Sequence, residues 1–171
     1  MGQTIFVPGE IDVTESRVAA SPETVKRLVG LGFSVIVEKG AGAASRIPDA
    51  DFAATGATIG NAADAAKADV VLKVRRPTDA ELKGYKPGAL VLAAMDPYGN
   101  DAAIAALAKA GVSAFSMEFM PRITRAQSMD ILSSQANLAG YQAVIDAAAE
   151  YDRALPMMMT AAGTVPAAKI F

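Results

Sequence analysis

Short β-branched runs alternate with alanine-rich stretches along this chain, with turn residues between them. Thr4 to Val7 predicts a first strand that stops at the Pro8-Gly9 breaker. Ser21-Pro22-Glu23 supplies a capping hydroxyl, a first-position proline and a first-turn acid, so a helix starts there. Val25, Leu28 and Val29 mark its apolar face, and Gly30 or Gly32 ends it. Phe33 to Val37 predicts a second strand, too continuously apolar for a half-exposed edge. Short helices are expected over Asp49 to Thr55 and Asn61 to Lys67, and a third strand over Val70 to Val74. Thr78-Asp79-Ala80-Glu81 has capping-box spacing, which starts another helix. Ala89 to Ala93 predicts a fourth strand. A helix over Asp101 to Ala110, capped by Asn100 and closed by Gly111, leads to a fifth strand over Val112 to Ser116.

This alternation implies right-handed crossovers and an α/β fold, a parallel sheet with helices on both faces in a flavodoxin-like arrangement. After Ser116 the pattern changes. Residues 117–133 are polar and loop-like, and a long helix is expected from about Ser134 to Tyr151. Leu138, Tyr141, Ile145 and Ala148 form one stripe on it, and Ala136, Gly140, Ala143 and Ala147 form a small-residue stripe. Beyond Pro156, Thr160 to Pro166 reads as a small-residue turn entering a strand, and Ala168 to Phe171 as a strand that has only begun. A strand started at the last residue has no helix to follow it, so the chain is expected to be the front part of something longer.

Composition narrows the chemistry. The 171 residues contain no cysteine and no histidine, which removes disulfides, thiolate catalysis and the commonest metal ligand and general base. A net charge of −2 gives no electrostatic footprint for nucleic acid or an anionic membrane. The N-terminus lacks the basic and apolar regions of a signal peptide, and no run near the C-terminus is long enough to span a bilayer. No Gly-x-Gly-x-x-Gly, P-loop or zinc motif occurs.

Three places carry chemical interest. Arg17 follows the first strand, where parallel folds bind ligands at the carboxyl edge, and its fork suits carboxylates. It is equally readable as a surface arginine paired with Glu15 or Glu10. Lys73 lies in an apolar strand just before Arg75 and Arg76, and must either snorkel out or meet an anion. Gln127, Asp130 and Ser133 are spaced to share one face of a helical turn, with Arg122 able to fold back on Asp130. Amide, carboxylate, hydroxyl and guanidinium together can hold a primary carboxamide; the same groups can also satisfy one another within a loop.

The uninterrupted run from Met117-Glu118-Phe119-Met120-Pro121-Arg122 to Ala139-Gly140-Tyr141 closely resembles a signature of the alpha subunit of proton-translocating nicotinamide nucleotide transhydrogenases. Glu15 to Val25 and Pro156 to Pro166 are similar to the same family, so the resemblance covers essentially the whole chain. It implies the NAD(H)-binding component, with residues 1–133 an α/β subdomain carrying a nicotinamide-side loop over 121–133. Residues 134–155 are then a connecting helix, and 156–171 the start of a Rossmann domain whose first strand is truncated before its glycine loop. On this resemblance Arg122, Gln127 and Asp130 belong to the catalytic loop that closes over the nicotinamide end of NAD, and Ser133 adds a further cofactor contact. The implied reaction is hydride transfer between NADH and NADP⁺. NADP(H) is held by a partner component, and a membrane component couples the transfer to proton movement. The intact component would be a homodimer, cytoplasmic and peripheral on the inner membrane through its partners, while a piece without the glycine loop is expected to be inactive alone.

Alanine dehydrogenase is similar in fold, and Arg17 and Lys73 match its positions for the 2-oxo acid. Its active-site histidine would fall where this chain has Ala94-Met95-Asp96. Oxidising an amine releases a proton and benefits from a positioned base, whereas hydride passing between two nicotinamide rings moves no proton at the reacting carbons. An amino-acid dehydrogenase and a non-catalytic partner-binding piece are the alternative readings.

Overall fold

A computed structural model describes residues 2–169. They divide into a first unit ending at Pro121 and a second beginning at Arg122. The first unit runs β1 (Thr4–Val7), α1 (Pro22–Gly30), β2 (Ser34–Glu38), α2 (Asp49–Ala54), β3 (Thr58–Gly60), β4 (Val70–Arg75), α3 (Asp79–Leu82), β5 (Leu90–Ala94), α4 (Asp101–Lys109) and β6 (Ser113–Ser116). The six strands form one parallel sheet in the order β3-β2-β1-β4-β5-β6. All five expected strands are present. Leaving out the edge strand β3, their order is second, first, third, fourth, fifth, which is the flavodoxin order.

The central strand shows why the runs are so continuous. Ile5 and Val7 face one core cluster with Val25, Val37 and Phe52, while Phe6 faces the other with Val71, Val91 and Leu107. A strand covered on both faces has no polar side to alternate with. Burying a side chain of this size stabilises the fold by roughly 1.5–3 kcal/mol, so these two layers hold the sheet. α1 starts as expected, Thr24 N donating to Ser21 Oγ at 3.2 Å with proline in the first turn. Gly32 then takes φ +92°, a conformation that favours glycine, to turn the chain into β2.

Several local expectations are corrected. β3 is an extra edge strand paired to β2. The short helix expected over Asn61 to Lys67 is present as a 3₁₀ helix, Ala62–Lys67, with Asn61 and Asp64 forming a capping box. Asn100 precedes α4 but makes no side-chain cap, because its amide donates instead to Asp96 O at 2.9 Å and Asp96 Oδ2 at 3.2 Å.

In the second unit, Thr124–Met129 forms a 3₁₀ helix and α5 spans Ile131–Glu150, three residues earlier than the pattern suggested. Neither expected stripe on α5 is buried; Leu138, Tyr141 and Ile145 are all exposed. The small-residue turn expected at Thr160 to Pro166 does enter a strand, and a strand that was not expected precedes it. β7 (Met158–Thr160) and β8 (Gly163–Val165) pair across that turn as an antiparallel hairpin. Of the strand expected over Ala168 to Phe171, Ala168 and Lys169 are not extended-sheet residues, and Ile170 and Phe171 lie outside the described residues.

Candidate functional site

The strand order reverses beside β1, so the crevice of the first unit lies outside the carboxyl ends of β1 and β4, where open parallel sheets bind ligands. Charged side chains fill it. Lys73 is 5% exposed and neither snorkels nor stands open: its Nζ lies 2.6 Å from Glu81 Oε1 and 3.2 Å from Glu10 Oε2. Glu10, on the loop after β1, also accepts from Val74 N at 2.7 Å and Arg75 N at 3.3 Å, which ties that loop across to β4. Arg17 takes its second reading. Its Nε and a terminal nitrogen donate to the two oxygens of Glu15 at 2.6 and 2.7 Å, and Arg75 Nε reaches Glu15 Oε2 at 2.8 Å.

Glu15 is itself buried, and its pKa is lowered to about 2. The hydrogen bond from the Arg17 side chain is the main cause and outweighs the upward push of burial. A buried cation with two carboxylates, beside a buried carboxylate with two guanidiniums, is a mutually satisfied network. Of these acids Glu15 was expected as a partner of Arg17, whereas the pairing of Glu10 and Glu81 with Lys73 was not read from the sequence. Thr78 to Glu81 gave a capping signal, and Glu81 does accept from Thr78 N at 2.8 Å while its other oxygen meets Lys73.

The end of β5, at Ala94-Met95-Asp96, is a backbone latch. Glu118 accepts from Met95 N at 3.0 Å, Asp96 N at 2.5 Å and Ser116 Oγ at 2.6 Å. Burial pushes the Glu118 carboxyl up, but these hydrogen bonds together hold it below the usual range. Arg76 donates to the carbonyls of Met95 and Asp96, and Asp96 takes φ +44°, an uncommon conformation outside glycine.

In the second unit the residues expected at the nicotinamide side fall in one short stretch. Asp130 caps α5: its Oδ1 accepts from Leu132 N at 3.0 Å and Ser133 N at 3.1 Å, and its Oδ2 accepts from Ser133 Oγ at 2.5 Å. The Ser133 hydroxyl is the leading cause that lowers the Asp130 pKa. Gln127 lies in the 3₁₀ turn just before, and its side chain is exposed, as is that of Arg122. The expected Arg122–Asp130 pair does not form within 4.0 Å among the described residues. The guanidinium acts on the carboxylate only at longer range, because the helix has already claimed both oxygens. No group of three acids among the described residues is placed to hold a metal ion.

Fold and edge together define a doubly wound parallel α/β domain whose switch-point crevice is closed by paired charges. The family model for the alanine dehydrogenase/PNT N-terminal domain matches residues 6–139, and the chain belongs to that family. It is 54% identical to an NAD(P) transhydrogenase alpha subunit of Rhodospirillum rubrum, over 97% of its own length and 45% of that protein. The crystal structure of transhydrogenase from Sinorhizobium meliloti matches with a TM-score of 0.93 and 67% identity, covering 97% of this chain and 50% of that one. An L-alanine dehydrogenase structure matches with a TM-score of 0.65 and 31% identity, over 68% of this chain and 32% of that one. The chain thus spans about half the length of the transhydrogenases it matches. The resemblance read from Met117 to Tyr141 holds along nearly the whole sequence. Among the described residues no helix is long and apolar enough to cross a membrane.

Proposed function

We propose that this chain is the N-terminal part of the NAD(H)-binding component of a proton-translocating transhydrogenase, in which Arg122, Gln127, Asp130 and Ser133 orient the nicotinamide end of NAD(H). The likeness to transhydrogenase alpha subunits over nearly the full chain carries this reading. The likeness to alanine dehydrogenase covers less, and the groups that would hold a 2-oxo acid are already engaged, Lys73 by Glu10 and Glu81 and Arg17 by Glu15.

The donor set fits a carboxamide. Exposed Gln127 offers both a donor and an acceptor, Arg122 offers donors only, and Asp130 is an acceptor whose carboxylate has about four sites, of which capping uses three. The Ser133 hydroxyl gives its hydrogen to Asp130 and keeps lone pairs for a ligand amide. Bound NADH supplies the hydride. The work of this chain is to fix the ring's orientation and exclude water, since no proton leaves the reacting carbons and no histidine is required. Anchoring of the pyrophosphate falls to the remainder of the longer protein, because no glycine-rich dinucleotide loop occurs in these residues. NADP(H) is held by the partner component, a membrane component couples transfer to proton movement, and the complete component is a homodimer on the cytoplasmic face.

The test uses the full-length component with its NADP(H)-binding partner. Arg122→Ala and Asp130→Asn should each slow single-turnover hydride transfer by about 10²-fold, while NADH affinity measured separately changes by a far smaller factor. Equal losses in rate and affinity would overturn the orienting role. Pyruvate- and ammonia-dependent NADH oxidation by the same protein would replace it with amino-acid dehydrogenation.

A further inference from the structure

The ladder between β5 and β6 ends at Ala93 and Ser116. The Glu118 latch begins one step beyond it, so what the latch fixes is the way the chain leaves the sheet. Glu118 is half-buried in the turn Met117–Phe119 and spends both oxygens there, Oε1 on Asp96 N and Oε2 on Met95 N and Ser116 Oγ. Hydrogen bonds to an ionised acceptor are about twice as strong as neutral ones. Phe119 adds a second tether, its ring meeting that of Tyr98 edge-on with centroids 5.8 Å apart.

The loop that receives these contacts is held from its other side as well. The peptide joining Met95 to Asp96 has its carbonyl bound by Arg76 and its N–H bound by Glu118. Asn100 closes the turn on the Asp96 carbonyl and carboxylate. A positive φ at a residue other than glycine persists where the surroundings over-determine it, and at Asp96 they do. Glu118 is therefore seated on a rigid base. Arg122 opens the second unit four positions further on, a chain reach of at most roughly 14 Å. That leash is stiff. Met120 takes ψ 121°, away from the helical region as a following proline requires, and the ring of Pro121 fixes its own φ.

The geometry points to Glu118 as a positioning residue for hydride transfer: seated on the end of β5, it sets the point and direction from which Arg122 is presented to the nicotinamide. This role rests on the orienting function proposed for Arg122, and Glu118 acts only through the Met120-Pro121 leash. A carboxylate suits the task because two N–H groups and a hydroxyl converge on it. Glutamine has one acceptor oxygen and would turn its NH₂ toward one of those N–H groups.

Single-turnover hydride transfer by the full-length component with its NADP(H)-binding partner tests this, with NADH affinity measured separately. Glu118→Gln should slow transfer about tenfold while NADH affinity stays within about twofold of the parent. Because the loss passes through Arg122, combining Glu118→Gln with Arg122→Ala should be no slower than Arg122→Ala alone. Should Glu118→Gln fail to fold, Ser116→Ala takes its place: it removes only the hydroxyl that steadies Oε2, and should slow transfer about two- to threefold. A parental rate in the folded variant, rate and affinity falling together, or losses that multiply in the double variant would each overturn the positioning role. A parental rate in Arg122→Ala would overturn the orienting function itself, and this role with it.

Discussion

Lys73 illustrates how a charge survives inside a parallel sheet. It enters from a strand whose neighbours Val71 and Val91 are fully buried, and its ammonium is met from two sides, by Glu10 after β1 and by Glu81 on α3. Removing one partner of such a group leaves the others buried and uncompensated. Lys73→Met should therefore cost about 3–5 kcal/mol in urea unfolding, and adding Glu10→Gln to it should recover part of that loss. Glu15 gives a pH signature. Its carboxyl is lowered from an ordinary value of 4.5 to about 2, so the stability it contributes is complete above 4.5 and is lost as pH falls toward 2. Glu15→Gln should melt earlier than the parent at pH 7, and the gap should close between those two values. A gap that persists at the acid end would mean that packing, not charge, is what the substitution removes. The sequence exposed Lys73 as a dilemma but not its resolution, because Glu10 lies far away along the chain and nothing in a linear pattern pairs them.

Among the elements, legibility followed length and flanking chemistry. The edge strand β6 is mostly exposed and was legible from its place after the Asp101 to Ala110 helix and Gly111. β1, β2, β4 and β5 announced themselves because both faces of the sheet are covered there, so their runs are largely apolar. β3 did not, with three residues of which only Ile59 is a large apolar side chain. Its tight fit is visible only in three dimensions, where a Cβ on Gly60 would lie 2.6 Å from both Asp64 Oδ2 and Ile36 Cγ2. The start of α5 was misplaced for a different reason: Asp130 was read as a ligand group, and it is also the residue that begins the helix. With capping established and ligand contact proposed at one residue, alanine is a poor probe. Asp130→Ala should raise hydrogen exchange across the first turn of α5 several-fold, whereas Asp130→Asn, which still caps, should leave it near the parent value. Identical exchange in the two variants would show that the carboxylate does not hold the turn.

For the protein as an assembly, the order of the sheet was implicit in the strand spacing, but the closure of its crevice was not. An open switch point would have favoured a small-acid substrate; a closed one agrees with the proposal that Arg122, Gln127, Asp130 and Ser133 orient a ring rather than exchange protons. Asp130 is held below the ordinary carboxyl range by Ser133, so it stays ionised throughout the neutral region. On the proposed function, single-turnover hydride transfer by the full-length component with its partner should accordingly vary by less than about twofold between pH 6 and 9. A bell-shaped profile over that interval would require a titrating base that the Arg122 to Ser133 stretch does not supply.

The link from Glu10 to β4 spans 64 positions along the chain. Such a knot cannot be tied until β1 and β4 are already neighbours, and β1 meets β2 before β4 has been reached in the sequence. The apolar layers must therefore assemble first, with the charges closing over them afterwards. Interactions made that late leave the speed of folding largely alone and govern how long the finished protein lasts, so the acids and bases of this crevice act as its timekeeper.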